Sequence, residues 1–420
     1  MRTSVVNMSW RWLMAALLTL GIALFALGNA QQLQVVWMGW PEEEVLPLFE
    51  GFEAEEPGVS FQIERLPFGQ LLQTLEVRLA ARTAVPDIYI VDGPLTASYA
   101  VRGHLLDLTP YLEPYMDGFT QAAIDQGTFD GKMYSAPIAS SMAVLLYNKD
   151  LFDAAGLDYP PADPDQRWTW DQVVEAGQQL TDPASNTWGF LFEINRPFML
   201  FPLPQSNNAQ VIGDDWLTAS GYVDSPAFVE AMQWYADTFN VWQISPSGVF
   251  DNVVAQEIFA GGNAAMMTAG TWMLDILPAR FPDLNWGVAP FPYFAGGTPV
   301  TPTGSFHIGV NPRGQNVETA IRFVQYMVRD DTIEQWFNLR TYPPVRTAVW
   351  DRLDVFDTEA WNIVRYELNH TAVPRPRTPG YREYEDILLS AIQDIQTGVD
   401  VQARLQRAAQ QIDRELEKYR

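Results

Sequence analysis

The chain has 420 residues, 47% of them apolar, with 15 Trp, no Cys and a net charge of −25. That length exceeds what one hydrophobic core holds, so two lobes are expected. The acidic balance excludes a nucleic-acid or anionic-membrane partner, which would need clustered Lys and Arg. The missing Cys excludes thiol nucleophiles, thiolate metal sites, disulfides and a lipid-modified Cys tether.

The first 30 residues read as an export signal. Arg2 and Arg11 make a basic start, Leu13 to Leu27 is mostly apolar, and Gly28-Asn29-Ala30 offers cleavage before Gln31. The apolar run falls short of the roughly 20 residues a membrane span requires, so cleavage is expected and not anchoring. Loss of residues 1–30, with two Arg and no acid, takes the charge from −25 to −27. The expected product is a free periplasmic protein and not a lipoprotein.

Leu33 to Met38 reads as a strand, and Trp40-Pro41 turns it into a helix with Glu42, Glu43 and Glu44 in its first turn. Val45, Leu48, Phe49 and Phe52 give that helix an apolar face, and Pro57-Gly58 stops it. Phe61 and Ile63 alternate in a second strand; Leu72, Leu75 and Leu79 mark a second helix; Pro86 introduces a strand over Asp87 to Val91. This β-α-β-α-β order predicts a parallel, doubly wound sheet. Ligands on such sheets bind beyond the carboxyl ends of the strands, here at Gly39-Trp40, Leu66 to Gln70 (with Phe68) and Asp92 to Pro94.

Gly131, Pro137 and Ser140-Ser141 read as a bendable polar approach to a buried strand over Met142 to Tyr147, the expected crossover between lobes. Asn148 to Asp150 turns into a short helix closed by Gly156, and Thr169 with Gln172 forms a capping box. Trp188 to Phe192 is β, with Arg196-Pro197-Phe198 in the loop after it. Helical spacing returns at Phe228 to Phe239. Ala264 to Met267 is a strand leading through Gly270-Thr271 to Trp272 at a helix start. Residues 286–304 are Gly- and Pro-rich and read as a looser second link. Three further helices follow, around Ala320 to Met327, Leu388 to Ile395 and Val401 to Ile412.

No catalytic constellation stands out. His104, His307 and His370 lack ligand spacing, the phosphate-cradling and nucleophile-elbow motifs are missing, and nothing singles out a carboxylate pair among 51 acids. No cofactor or metal is expected. Trp40, Phe68, Phe198, Trp272 and Tyr381 fall in loops or at element starts; a packed core is one use for them, the C–H faces of a sugar another.

Five blocks carry a resemblance: LLYNKDLFDAAGLDYPP, WTWDQVVEAGQQLT, PDIYIVDGPLTASYAVRGHLLDLTPYL, GNAAMMTAGTWML and PRPRTPGYREYEDILLSAIQDIQTG. In this order they resemble the carbohydrate-class extracellular solute-binding proteins of ABC importers, whose members include maltose- and trehalose-binding proteins. The resemblance implies an α/β, two-lobed periplasmic-binding-protein fold with hinge strands and discontinuous domains: residues 31–142 with 305–350, and 143–304 with 351–420. It implies a non-enzymatic monomer that takes a di- or oligosaccharide, such as a trehalose- or maltose-like glucoside, and delivers it to ABC permease subunits. The ligand-binding positions it implies are Trp40, Phe68, Gln70, Asp92, Ser141, Arg196, Phe198, Trp272, Gly304, Ser305 and Tyr381. Ser141 and Arg196 stand where maltose-binding proteins carry acids, so plain maltose is not the implied ligand. Arg196 leaves open an organic anion; a polyamine, or an exported glycosidase or lyase, are the other readings.

Overall fold

The computed structural model describes residues 31–194 and 196–420; the expected export signal lies outside them. Strand β1 (Gln31–Met38) pairs in parallel with β2 (Val59–Leu66) and with β3 (Ile88–Asp92). The connecting helices, Glu42–Glu55 and Phe68–Ala80, bury Val45, Leu48, Phe49 and Phe52, and Leu71, Leu72, Leu75 and Leu79. Each such side chain stabilises the fold by roughly 1.5–3 kcal/mol relative to exposure. The βαβ reading of this segment therefore holds.

Two long strands extend the sheet. β4 (Ala136–Asn148) is buried along its whole length, and β8 (Thr301–Val310) runs antiparallel to both β3 and β4. The N-terminal half of β4, up to Met142, pairs with β8. From Ala143 its partners change to β6 (Ala264–Gly270), and from Leu145 also to β7 (Trp286–Ala289). β5 (Trp188–Phe192) closes that side in parallel with β6, and β9 (Ala372–Pro374) lies beside the first residues of β8. The path is β2-β1-β3-β8-β4-β6-β5, a mixed sheet and not the purely parallel one expected.

Two expectations are corrected. Ser140 and Ser141 are not a flexible approach but buried strand residues tied to β8: the Ser140 hydroxyl reaches Thr303 Oγ1 at 3.3 Å, and the Ser141 carbonyl accepts from Thr303 Oγ1 at 3.1 Å. Residues 286–304 are not loose throughout: they hold β7 and the start of β8, with irregular chain only over 290–300 between them.

The apolar side chains form separate cores. One gathers residues of β1–β3 with Ile308, Val310 and the helix Val317–Met327. The second gathers residues of β5 and of the helices Trp170–Leu180, Pro226–Asn240 and Val401–Leu416. A third joins Met142 and Val144 to Met267, Trp350 and Trp361. Trp272 touches the edge of all three.

Candidate functional site

Where the cores meet, a cavity of about 910 Å³ opens. The carboxyl ends of the parallel strands contribute Met38, Pro67, Phe68, Gly69 and Asp92, as the strand-end rule requires. The crossover strands contribute Ser141, Gly304 and Phe306; the far side contributes Glu193, Arg196, Phe198 and Trp272.

Trp272 is set by the end of β6. The Thr271 N–H donates to the Met142 carbonyl at 2.9 Å, which ties the start of the helix Met273–Arg280 to the point where β4 changes partners. A Cβ at Gly270 would collide with the indole ring, so only glycine leaves it this position. The indole lies 6.2 Å from the Phe198 ring at 34°. Its Nε1–H donates to Glu193 Oε1 at 2.9 Å. Glu193 also accepts from Gln256 Nε2 at 2.6 Å and from the Gly270 N–H at 3.1 Å. Burial pushes this carboxyl up to about 7, opposed by the three donors, which favour its charge.

Asp92, at the end of β3, is locked in a bidentate pair with Arg375, whose Nη1 donates to Oδ2 at 3.0 Å and whose Nη2 donates to Oδ1. Both are buried. Burial works against the guanidinium charge, but Asp92, with Tyr381 and Glu385, offsets it and holds the pKa above its ordinary value. The guanidinium also lies 5.1 Å from the Phe198 ring and 5.8 Å from Tyr381. Each of the other arginines in the wall has a carboxylate partner as well. Arg196 pairs with Asp386 at 3.0 Å and Glu385 at 3.4 Å, Arg280 with Glu257 at 3.9 Å, and Arg340 with Glu44.

Of the positions singled out from sequence, Phe68, Asp92, Ser141, Arg196, Phe198, Trp272 and Gly304 come together in this wall. The others do not. Trp40 is 6% exposed and stands behind it, edge-on to Phe306 at 5.0 Å and Trp336 at 5.2 Å, because the chain turns it back onto the sheet. Tyr381 is 1% exposed, and its hydroxyl donates to Glu385 Oε1 at 3.1 Å, so its ring fills a core. Gln70 is exposed on the helix Phe68–Ala80, outside the wall, and Ser305 is a backbone partner of Ser140 in β8. The cavity also uses Glu193, Arg340, Tyr342, Phe306 and Arg375, none of which the sequence reading chose. A lone acid directly after the apolar run Trp188 to Phe192 was the available signal for Glu193; an Arg between two Pro was the one for Arg375.

The model of the family described as bacterial extracellular solute-binding protein matches residues 40–333. A Brucella abortus protein named only as a binding protein is 25% identical over 410 residues, 95% of this chain and 97% of its own. The maltodextrin-binding protein of Bacillus subtilis is 26% identical over 346 residues, 79% and 77% of the two chains. In three dimensions, an ABC substrate-binding protein of Listeria monocytogenes, solved in complex with cycloalternan, superposes with a TM-score of 0.82 at 21% identity, covering 92% of this chain and 99% of its own. That likeness carries the two-lobed fold. By the extent of the family match, the chain belongs to the bacterial extracellular solute-binding proteins.

Proposed function

We propose that this protein captures a neutral di- or oligosaccharide in the cavity between its lobes and hands it to the permease of an ABC importer from the periplasm. One observation carries the reading. The wall is lined by Phe68, Phe198, Trp272, Phe306 and Tyr342, and its arginines are already neutralised by ion pairs. Aromatic faces suit the C–H patches of sugar rings, and paired carboxylates and guanidinia still offer lone pairs and N–H groups to hydroxyls. A volume of about 910 Å³ is near the upper end of the ~300–1,000 Å³ usual for small-molecule sites, which suits more than one sugar ring. An organic anion held by Arg196 would first have to displace Asp386 and Glu385. A maltodextrin-binding relative fits the same reading.

The mechanism is a shift of population and not catalysis. Contacts from both lobes exist together only in a closed form, so a ligand that touches both favours closure. We place the division at residues 31–142 with 305–350 and 143–304 with 351–420, with β4 and β8 as hinge strands. The change of partners at Met142 and Ala143 supports it. A thermal-shift screen across neutral mono-, di- and oligosaccharides, uronates, dicarboxylates and polyamines tests the reading. A stabilisation of about 2.7 kcal/mol at a hundredfold excess over Kd is expected for a neutral oligosaccharide alone. Stabilisation by an anion or a polyamine, with no response to sugars, would overturn it.

A further inference from the structure

We propose that Glu193 is the positioning residue of the aromatic wall: its carboxylate fixes the plane of the Trp272 indole and thereby sets sugar affinity without touching the sugar itself. The inference rests on the sugar-binding reading of the cavity and goes beyond it by assigning a role to a buried acid of the wall beside the stacking ring.

The geometry is specific. Trp272 is only partly buried and packs on the edges of three cores with one side over Gly270, so packing covers only part of its ring. The hydrogen bond from Nε1–H to Glu193 Oε1 at 2.9 Å supplies the missing restraint. Glu193 is itself held by two further donors, Gln256 Nε2 from the helix Asn252–Ala260 and the Gly270 N–H from β6, so its position is determined from two other elements. All three partners donate. A carboxylate has only acceptors and can take all three, whereas an amide would set an NH₂ group against at least one N–H. A buried acid without a basic partner among these contacts is a costly way to fill space, and an apolar side chain would do that better. Charged acceptors form shorter and stronger hydrogen bonds than neutral ones, which is what holding one ring against rotation requires.

The test uses the mature protein in five forms: wild type, Glu193→Gln, Glu193→Leu, Trp272→Phe, and Glu193→Leu combined with Trp272→Phe. Two quantities are measured: the affinity for maltose, trehalose and maltotriose by titration calorimetry, and hydrogen exchange of the Trp272 indole N–H by NMR, its signal identified by its loss in Trp272→Phe. In the Glu193 variants the indole proton should exchange at least tenfold faster. Sugar affinity should fall at least tenfold when Glu193→Leu is made in the wild type but less than twofold when it is made in Trp272→Phe, because the effect runs through the indole. Unchanged indole exchange, or equal affinity losses in both backgrounds, would overturn the inference while leaving the sugar site intact. If the wild type binds none of these sugars, the proposed function fails on this panel, and the exchange measurement alone decides whether Glu193 holds the ring.

Discussion

Burial pushes the Glu193 carboxyl from its ordinary 4.5 up to about 7, although three N–H groups pull the other way. A folded-state pKa raised above the unfolded one means that the native protein holds this proton more tightly. The contribution to stability is therefore fully present below pH 4.5 and is lost as pH rises to about 7. Above that range the group costs on the order of 3 kcal/mol, the shift converted at about 1.4 kcal/mol per pH unit. Glu193→Gln removes the titration but leaves one of the N–H donors facing an NH₂ group. Thermal melts of the variant and wild type between pH 4 and 8 should show their difference in melting temperature moving in favour of the variant as pH rises; a constant difference would contradict the account. Asp92 and Arg375 show the opposite solution, two buried charges that neutralise each other in a bidentate pair. A lone buried acid and a mutually neutralised pair stand in the same wall. The first is the one tied to Trp272.

At the scale of elements, β8 can pass the cavity only because residue 304 has no side chain. A Cβ there would lie 2.7 Å from Ser141 Oγ and 3.3 Å from the Phe198 ring. Gly304→Val should lower sugar affinity at least tenfold by displacing Phe198, with the loss read by calorimetry; unchanged affinity would remove this contact from the site. The sequence showed most elements whose signal is local. The Leu72, Leu75 and Leu79 spacing, the capping box at Thr169 and the αL glycine at Gly156 all mark elements that the structure contains. Elements that depend on distant partners were harder to read. Ser140 and Ser141 look polar in a window of ten residues and are buried in a strand pair with β8, where Thr303, more than 160 positions away, bonds the Ser140 hydroxyl and the Ser141 carbonyl. Trp40 and Trp272 look alike as loop aromatics at strand ends. Phe306 and Trp336 cover the first, while Gly270 leaves the second its place in the wall, and neither effect is visible without the fold. Resemblance to a family brought Ser141, Arg196 and Gly304 into view as binding positions, but Arg375, which holds Asp92, had no local signal beyond its flanking prolines.

For the whole molecule, separate cores share two long strands, and the proposed mechanism has the parts bend about those strands while each stays rigid. Ligand contacts drawn from both sides can move that balance only by their difference in affinity between the two forms. Small-angle scattering should show the radius of gyration falling when a bound sugar saturates the protein; no change would contradict closure. The central claim is narrower, namely that a neutral sugar lies on the Trp272 wall, and titration calorimetry with maltotriose at 50 and 500 mM salt tests it most directly. The account predicts saturable one-to-one binding, nearly equal at both salt concentrations because every arginine in the wall is already paired, and weakened at least tenfold in a Trp272→Ala protein that remains folded. Absence of binding, binding that weakens steeply with salt, or full affinity in Trp272→Ala would contradict it.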